Sequence, residues 1–250
     1  MAAAQSVDQS LRNRVRERAK LAVRGVLHRF ELELSASPYP SRLARSLAAH
    51  DVTTVLDIGA NVGQFSVQLR RAGFRGRIVS CEPLSGAYAE LSKRASGDAN
   101  WIVLNTAVGR EAGEIEIHVA ANSFSSSVLE MTDAHLTNAP GSEYIAVEKV
   151  PMTTVPALVD KHGVDPSRTL LKIDTQGYEG EVLAGAGDLV TRFRALQLEM
   201  SFVELYAGQM LFDESYAQIR DWGYRLHALE TGFSGTDGRL MQVDGLFVRD

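Results

Sequence analysis

From residue 53 onward, short apolar runs that read as strands alternate with stretches whose apolar residues recur at helical spacing. The strand-like runs are Thr54–Ile58, Arg77–Cys81, Trp101–Val108, Thr169–Ile173, Ala195–Met200, Tyr224–Leu229 and Gly245–Val248. Helical patterns occupy 63–72, 85–95, 154–162, 179–192 and 214–222. A strand, a helix and a further strand pair most simply as a parallel crossover unit. The alternation therefore predicts an α/β fold, a mostly parallel seven-stranded sheet with helices on both faces. Two insertions interrupt it. Glu114–Val119 alternates charged and apolar residues and predicts an added strand, paired with Tyr144–Val150. Between them, Asn122–Ser127 and the polar stretch through Pro140 and Gly141 read as a mobile loop rather than a core element.

The first 50 residues follow another pattern. Leu11, Val15, Ala19, Ala22, Val26 and Phe30 share one face of a helix predicted over 5–30. Its other positions carry Arg12, Arg14, Arg16, Arg18, Lys20, Arg24 and Arg29 against only Asp8 and Glu17. Prolines 38 and 40 break the pattern, and a short helix over 41–50 leads into the core. The expected organisation is a helical extension over 1–50 and a core domain over 51–250. The basic helix either docks on its own domain, as its small apolar residues favour, or makes a peripheral contact with an anionic membrane or a partner. A net charge of −5 argues against a nucleic-acid partner. Cys81 is the only cysteine and sits in an apolar run, so no internal disulfide forms and a reducing compartment is expected. With no signal-like segment and no apolar run long enough to span a bilayer, the expectation is a cytoplasmic protein, membrane-associated only through residues 5–30.

The chemistry concentrates at strand ends. Asp57-Ile-Gly-Ala-Asn-Val-Gly63 follows the first strand and opens a helix, where an open α/β sheet places its ligand crevice. Gly59 and Gly63 permit close backbone approach, and Asp57 is a candidate partner for a cationic group such as an amino group. The spacing Gly-x-x-x-Gly is not the dinucleotide fingerprint, and Gln64 and Phe65 stand where a phosphate loop needs Lys and Ser or Thr. The loop therefore disfavours a nicotinamide-dependent oxidoreductase and any polyphosphate ligand. Glu82, after the second strand, is placed to accept hydrogen bonds from both hydroxyls of a ribose. Asn105 and Ala107, at the end of the third, are candidates to line a nucleobase.

Asp174 ends the fourth strand and Glu199 lies near the end of the fifth, so both are expected to face the same crevice. Carboxylates there orient an acceptor hydroxyl, act as general base, or hold a hard cation such as Mg²⁺. Lys172 is expected beneath the crevice. The loop 122–142 and the segment Met200–Met210, with Phe202, Tyr206 and Met210, are expected to shape an acceptor pocket. His135 lies in the insertion and is expected at its surface. None of the six histidines has the spacing of a zinc site.

Five ordered blocks resemble one known group: DIGANVGQFS at 57–66, SCEP at 80–83, KIDTQGYEGEVLAGA at 172–186, LQLEMSFVELYAGQ at 196–209 and VDGLFVR at 243–249. Together they resemble the FkbM family of methyltransferases, from about residue 50 to the C-terminus. The resemblance implies a Rossmann-like class I methyltransferase fold, S-adenosylmethionine as donor, and O-methylation of a sugar or natural-product hydroxyl. It implies cofactor contacts at Asp57, Gly59, Asn61, Gly63 and Glu82, and a further block at Asp174, Gly177 and Glu179. Many members carry Glu where this chain has Gln176, which puts a metal- or acceptor-binding carboxylate there in doubt. The alternative is a non-catalytic nucleoside-binding domain that recruits partners through the basic helix; intact Asp57, Glu82 and Asp174 speak against it.

Overall fold

The computed structural model describes residues 38–249, and the predicted helix at 5–30 lies outside them. β1 (Thr54–Ile58) has parallel partners on both sides, β2 (Arg77–Cys81) and β7 (Thr169–Ile173). A strand with neighbours on both edges and helices on both faces is buried throughout, which is why it reads Val-Leu-Asp-Ile without a solvated alternate position. The sheet extends through β3 (Trp101–Leu104) on one side and β8 (Ala195–Ser201), β10 (Gln242–Val248) and β9 (Arg225–Thr231) on the other, in the order β3-β2-β1-β7-β8-β10-β9. Only β10 is reversed, antiparallel to both β8 and β9.

Successive strand residues point to opposite faces and build two cores. Val55, Ile78 and Leu170 pack under α1 (Tyr39–Ala49), α2 (Gln64–Arg71) and α3 (Ser85–Ala95) through Leu43, Leu47, Leu69 and Leu91. Leu56, Val79 and Leu171 face α5 (Val155–His162) and α6 (Glu179–Ala186), with Ile219 of α7 (Phe212–Asp221) in the same core. Because Leu43 and Leu47 are fully buried there, α1 belongs to the sheet domain, whose boundary falls at Tyr39 rather than at residue 51.

Three expected elements differ. The run Trp101–Val108 is two strands: β3 stops at Leu104 where β2 ends, and β4 (Ala107–Val108) joins a second, three-stranded sheet. The Asn105 amide forces the break by donating to the carbonyls of Glu82 (3.1 Å) and Pro83 (2.7 Å). The helix expected over 179–192 ends at Ala186 and continues as a 3₁₀ turn. The expected pairing of the insertion is present, β5 (Gly113–Ala120) antiparallel to β6 (Tyr144–Thr153).

Between β5 and β6, the expected mobile loop is a packed element. It holds a 3₁₀ turn at Ser123–Ser125 and the short helix α4 (Asp133–Asn138). Thr132 N–H donates to Leu205 O (2.9 Å), Ala207 N–H to Glu130 O (2.8 Å) and Tyr144 Oη–H to Leu129 O (2.6 Å). Leu205, Tyr206 and Met241 form a small core with Leu129, Met131 and Phe233 beneath it. Its polar sequence hid this, because the polar groups are satisfied by one another and by backbone rather than by water.

At the end of β1 the chain must turn where β7 also ends. Gly59 has φ +77°, and a Cβ there would lie 1.7 Å from the carbonyl oxygen of Asp174. Gly59→Ala is therefore expected to cost ~2–5 kcal/mol, left-handed strain plus a backbone clash. Gly73→Ala, with φ +104° but nothing near the added Cβ, should cost only the strain, ~1–2 kcal/mol. Urea unfolding of the two variants separates these contributions.

Candidate active site

β1 hands the chain to β2 on one side, while β7 continues the sheet on the other. Loops leaving such a switch point diverge and leave a crevice at the strand ends. A cavity of about 320 Å³ opens there. Gly59, Asn61, Glu82 and Ala107 form one wall, and Asp174, Gln176 and Glu199 the other. The insertion closes it above with Ser125, Val128 and His135.

Beneath the cavity, parallel register sets Ser80, Asp57, Lys172 and Gln197 side by side on four adjacent strands. Lys172 Nζ stands 3.3 Å from Asp57 Oδ1 and 3.3 Å from Asp174 Oδ2, and 5.2 Å above the Phe65 ring. Burial works against its charge, but Asp174, Asp57 and Asp244 outweigh burial and hold its pKa above the ordinary lysine value. Asp57 is fully buried, and its Oδ2 accepts from Ser66 Oγ (2.9 Å) and Ser80 Oγ (3.0 Å). Its carboxylate thus supports the floor and does not line the cavity.

Glu82 does line it. Oε2 accepts the Asn61 N–H (2.8 Å) and Oε1 the Leu84 N–H (3.0 Å), so each oxygen keeps a lone pair. Asn61 reaches this position in the left-handed region, φ +48°. Burial pushes the Glu82 carboxyl up to about 7, against the two backbone donors. A rigid carboxylate with both oxygens partly free suits a vicinal diol such as a ribose.

On the opposite wall, Gln176 holds two carboxylates together. Its Nε2 donates to Asp174 Oδ1 (3.0 Å) and Glu199 Oε2 (2.8 Å), and its Oε1 accepts from Tyr206 Oη (2.9 Å). Burial, then Asp174, Glu179 and Asp244, raise the Glu199 pKa well above the usual carboxylate range. Glu179 clamps the loop: its Oε1 accepts from the N–H groups of Thr175 (2.7 Å) and Gly177 (3.3 Å). Mg²⁺ does not fit this pair. Both Asp174 oxygens already take donors, an ammonium and an amide, and a second amide hydrogen points at Glu199. Among the described residues, no group of three or more His, Cys, Asp or Glu side chains is arranged to hold a metal.

Of the residues singled out in sequence, Gly59, Asn61, Glu82, Ala107, Asp174 and Glu199 meet at the cavity. Asp57 lies below it, and the Asn105 side chain is spent on the strand break. Gly63 begins α2 with φ +85°, and its missing Cβ makes room for Leu91 and Trp101 rather than for a ligand. Phe202 stacks on Phe212, Met210 packs against the main core, and Tyr206 is wholly buried, so none of the three forms the pocket wall. His135, expected at the surface, is buried on the cavity. The bridging role of Gln176 was not legible; its one local signal is a non-glycine residue with φ +52° beside Gly177.

The model of the methyltransferase FkbM domain matches residues 57–226, more than half of the chain. The chain belongs to the FkbM methyltransferase family. Membership makes it an S-adenosylmethionine-dependent methyltransferase, and the oxidoreductase reading gives way to it. No curated protein matches the chain. Among solved structures, this FkbM methyltransferase is similar to a precorrin-6y C5,15-methyltransferase from Geobacter metallireducens GS-15, at 11% identity and a TM-score of 0.46, over 88% of this chain and 94% of that one. It is also similar to a Burkholderia thailandensis 1,6-didemethyltoxoflavin-N1-methyltransferase with bound 1,6-didemethyltoxoflavin and S-adenosylhomocysteine, at 9% identity and a TM-score of 0.45, over 95% and 89%. Neither distant likeness bears on what the FkbM protein methylates. Among its described residues, no helix is long and apolar enough to cross a membrane.

Removing the ammonium under the site leaves two carboxylates facing each other in the interior. Lys172→Met is expected to destabilise the fold by ~3–5 kcal/mol at neutral pH. Adding Asp57→Asn should recover part of that loss, which denaturant unfolding of the single and double variants measures.

Proposed function

We propose that the FkbM methyltransferase methylates a hydroxyl oxygen of a sugar, on a glycolipid or polysaccharide, or of a natural product. The observation that supports this reading is that Glu82, whose two oxygens each keep a lone pair, shares one cavity with Asp174 and Glu199. S-adenosylmethionine supplies a methyl group already activated by its positive sulfur. What remains for the protein is alignment of the acceptor and removal of its proton. Glu82 would hold the ribose, with the loop at Gly59 and Asn61 beside it and Ala107 along the nucleobase. Asp57 supports this wall from below through Ser66 and Ser80, and the Asn105 amide fixes its edge.

A neutral alcohol is a poor nucleophile, and Glu199 is suited to take its proton because burial raises its proton affinity. Asp174, ion-paired to Lys172, stands beside Glu199 on the same wall. Gln176 keeps the two carboxylates in one orientation. The basic run at 5–30 favours an acceptor carried at an anionic membrane, which vesicle co-sedimentation would test.

Donor binding should depend on pH through Glu82. Burial pushes its carboxyl up to about 7, and only the ionised form accepts from both hydroxyls of a diol without presenting an O–H of its own, so affinity rises with pH. S-adenosylhomocysteine should bind more weakly below about pH 7, by up to about tenfold for each unit. Calorimetry between pH 6 and 8 measures this, and Glu82→Gln should bind weakly with little pH dependence. Glu199→Gln should lower kcat by ~10²–10⁴-fold with donor affinity nearly unchanged. Release of S-adenosylhomocysteine with hydroxylated glycans as acceptors reads that out; normal turnover by the variant would remove Glu199 from the base role.

A further inference from the structure

Three consecutive serines of the insertion line the cavity, and the hydroxyl oxygens of two accept backbone N–H groups. Ser126 Oγ accepts the Ala120 N–H (3.0 Å). Ser127 Oγ donates to Gln176 O (2.6 Å) and accepts the Leu129 N–H (3.0 Å). Ser125 differs: its Oγ meets only His135 Nε2, at 3.2 Å. His135 is packed between the rings of Tyr206 and Phe233, at 5.0 and 5.9 Å between centroids. Its Nδ1 is buried and has no partner.

That asymmetry fixes the direction of the hydrogen bond. A proton on Nδ1 would be a buried donor with nothing to bond, whereas a bare Nδ1 lone pair is the cheaper orphan. The neutral ring therefore carries its proton on Nε2 and donates it to Ser125 Oγ. Burial lowers the histidine's pKa, which favours the neutral ring. The hydroxyl hydrogen of Ser125 is then left over, on the cavity wall, with no protein acceptor. Ser125 is also tied to the carboxylate pair: Tyr206 Oη lies 3.2 Å from Ser125 O and 2.9 Å from Gln176 Oε1. Among the described residues, those lining the cavity include Glu82, Asp174 and Glu199 but no Lys or Arg. Among these lining residues an anionic acceptor would meet carboxylates and no cationic side chain.

We propose that Ser125 is a specificity-determining residue that donates its hydroxyl hydrogen to an uncharged oxygen of the acceptor, with His135 as its positioning residue. The proposal rests on the methyl-transfer reading of this cavity, so its test begins with S-adenosylhomocysteine binding to the full chain by calorimetry. The saturated protein is then titrated, with ligand-observed NMR, with phenyl β-D-glucopyranoside and with its 6-phosphate. The phosphate should bind at least about tenfold more weakly than the neutral glucoside, since its charge is desolvated without a partner. Ser125→Ala and His135→Phe should each weaken the glucoside by about fivefold, the worth of one hydrogen bond. His135→Gln, which keeps an N–H near the Nε2 position, should restore it. S-adenosylhomocysteine affinity should hold in all three, and ¹⁵N spectra should show the Nε2–H tautomer of His135. Equal binding of the two probes, no binding of the glucoside, unchanged affinity in Ser125→Ala, or an Nδ1–H tautomer would each overturn the proposal while leaving the methyl-transfer reading standing. Failure of the wild type to bind S-adenosylhomocysteine would overturn both.

Discussion

A lysine ammonium with almost no access to water sits under the site, and its neighbours are arranged around that fact. An isolated charge in such a place is expelled or neutralised. Here Asp57 and Asp174 keep it charged, and Ser66 and Ser80 satisfy the far side of Asp57. Trp101 in turn donates to Ser80 Oγ at 3.0 Å, so the network reaches from β3 to β7 across the central sheet. The rim of the cavity stands on a floor whose buried ammonium is held between two carboxylates.

The same floor explains the division of labour between the carboxylates. Asp57, Glu82, Asp174 and Glu199 lie within one small region, yet each has a distinct set of donors. Asp57 has hydroxyls and an ammonium, Glu82 two backbone N–H groups, Asp174 an ammonium and an amide, Glu199 the amide alone. Environment, not residue type, decides which carboxylate oxygens are spent on protein donors and which stay open to the cavity.

The sheet was legible because a strand buried on both faces has little freedom in composition, and the helices between strands repeat at 3.6 residues. The cavity's location followed from strand ends alone. Asp57 shows where that reasoning stops: a strand-end aspartate looks like a ligand contact until β7 sets Lys172 beside it, and that pairing joins residues far apart in sequence. Asn105 interrupts a run of uniformly apolar character through a side-chain bond to another loop. The insertion resisted most, because its serines bond mainly to backbone groups of other segments and leave no period to read.

The insertion and the strand-end loop are not separate modules. Ser127 holds the Gln176 carbonyl, and Tyr206 reaches both the Gln176 amide and Ser125. Where a roof rests on a site only through apolar contact, its sequence can drift and new substrates can be tried at little cost to the chemistry. Here the roof is fastened to the residue that aligns the two carboxylates. A lineage altering this roof would disturb the carboxylate pair in the same step, so changes at 125–127 would be accompanied by replacements at 176 and 206.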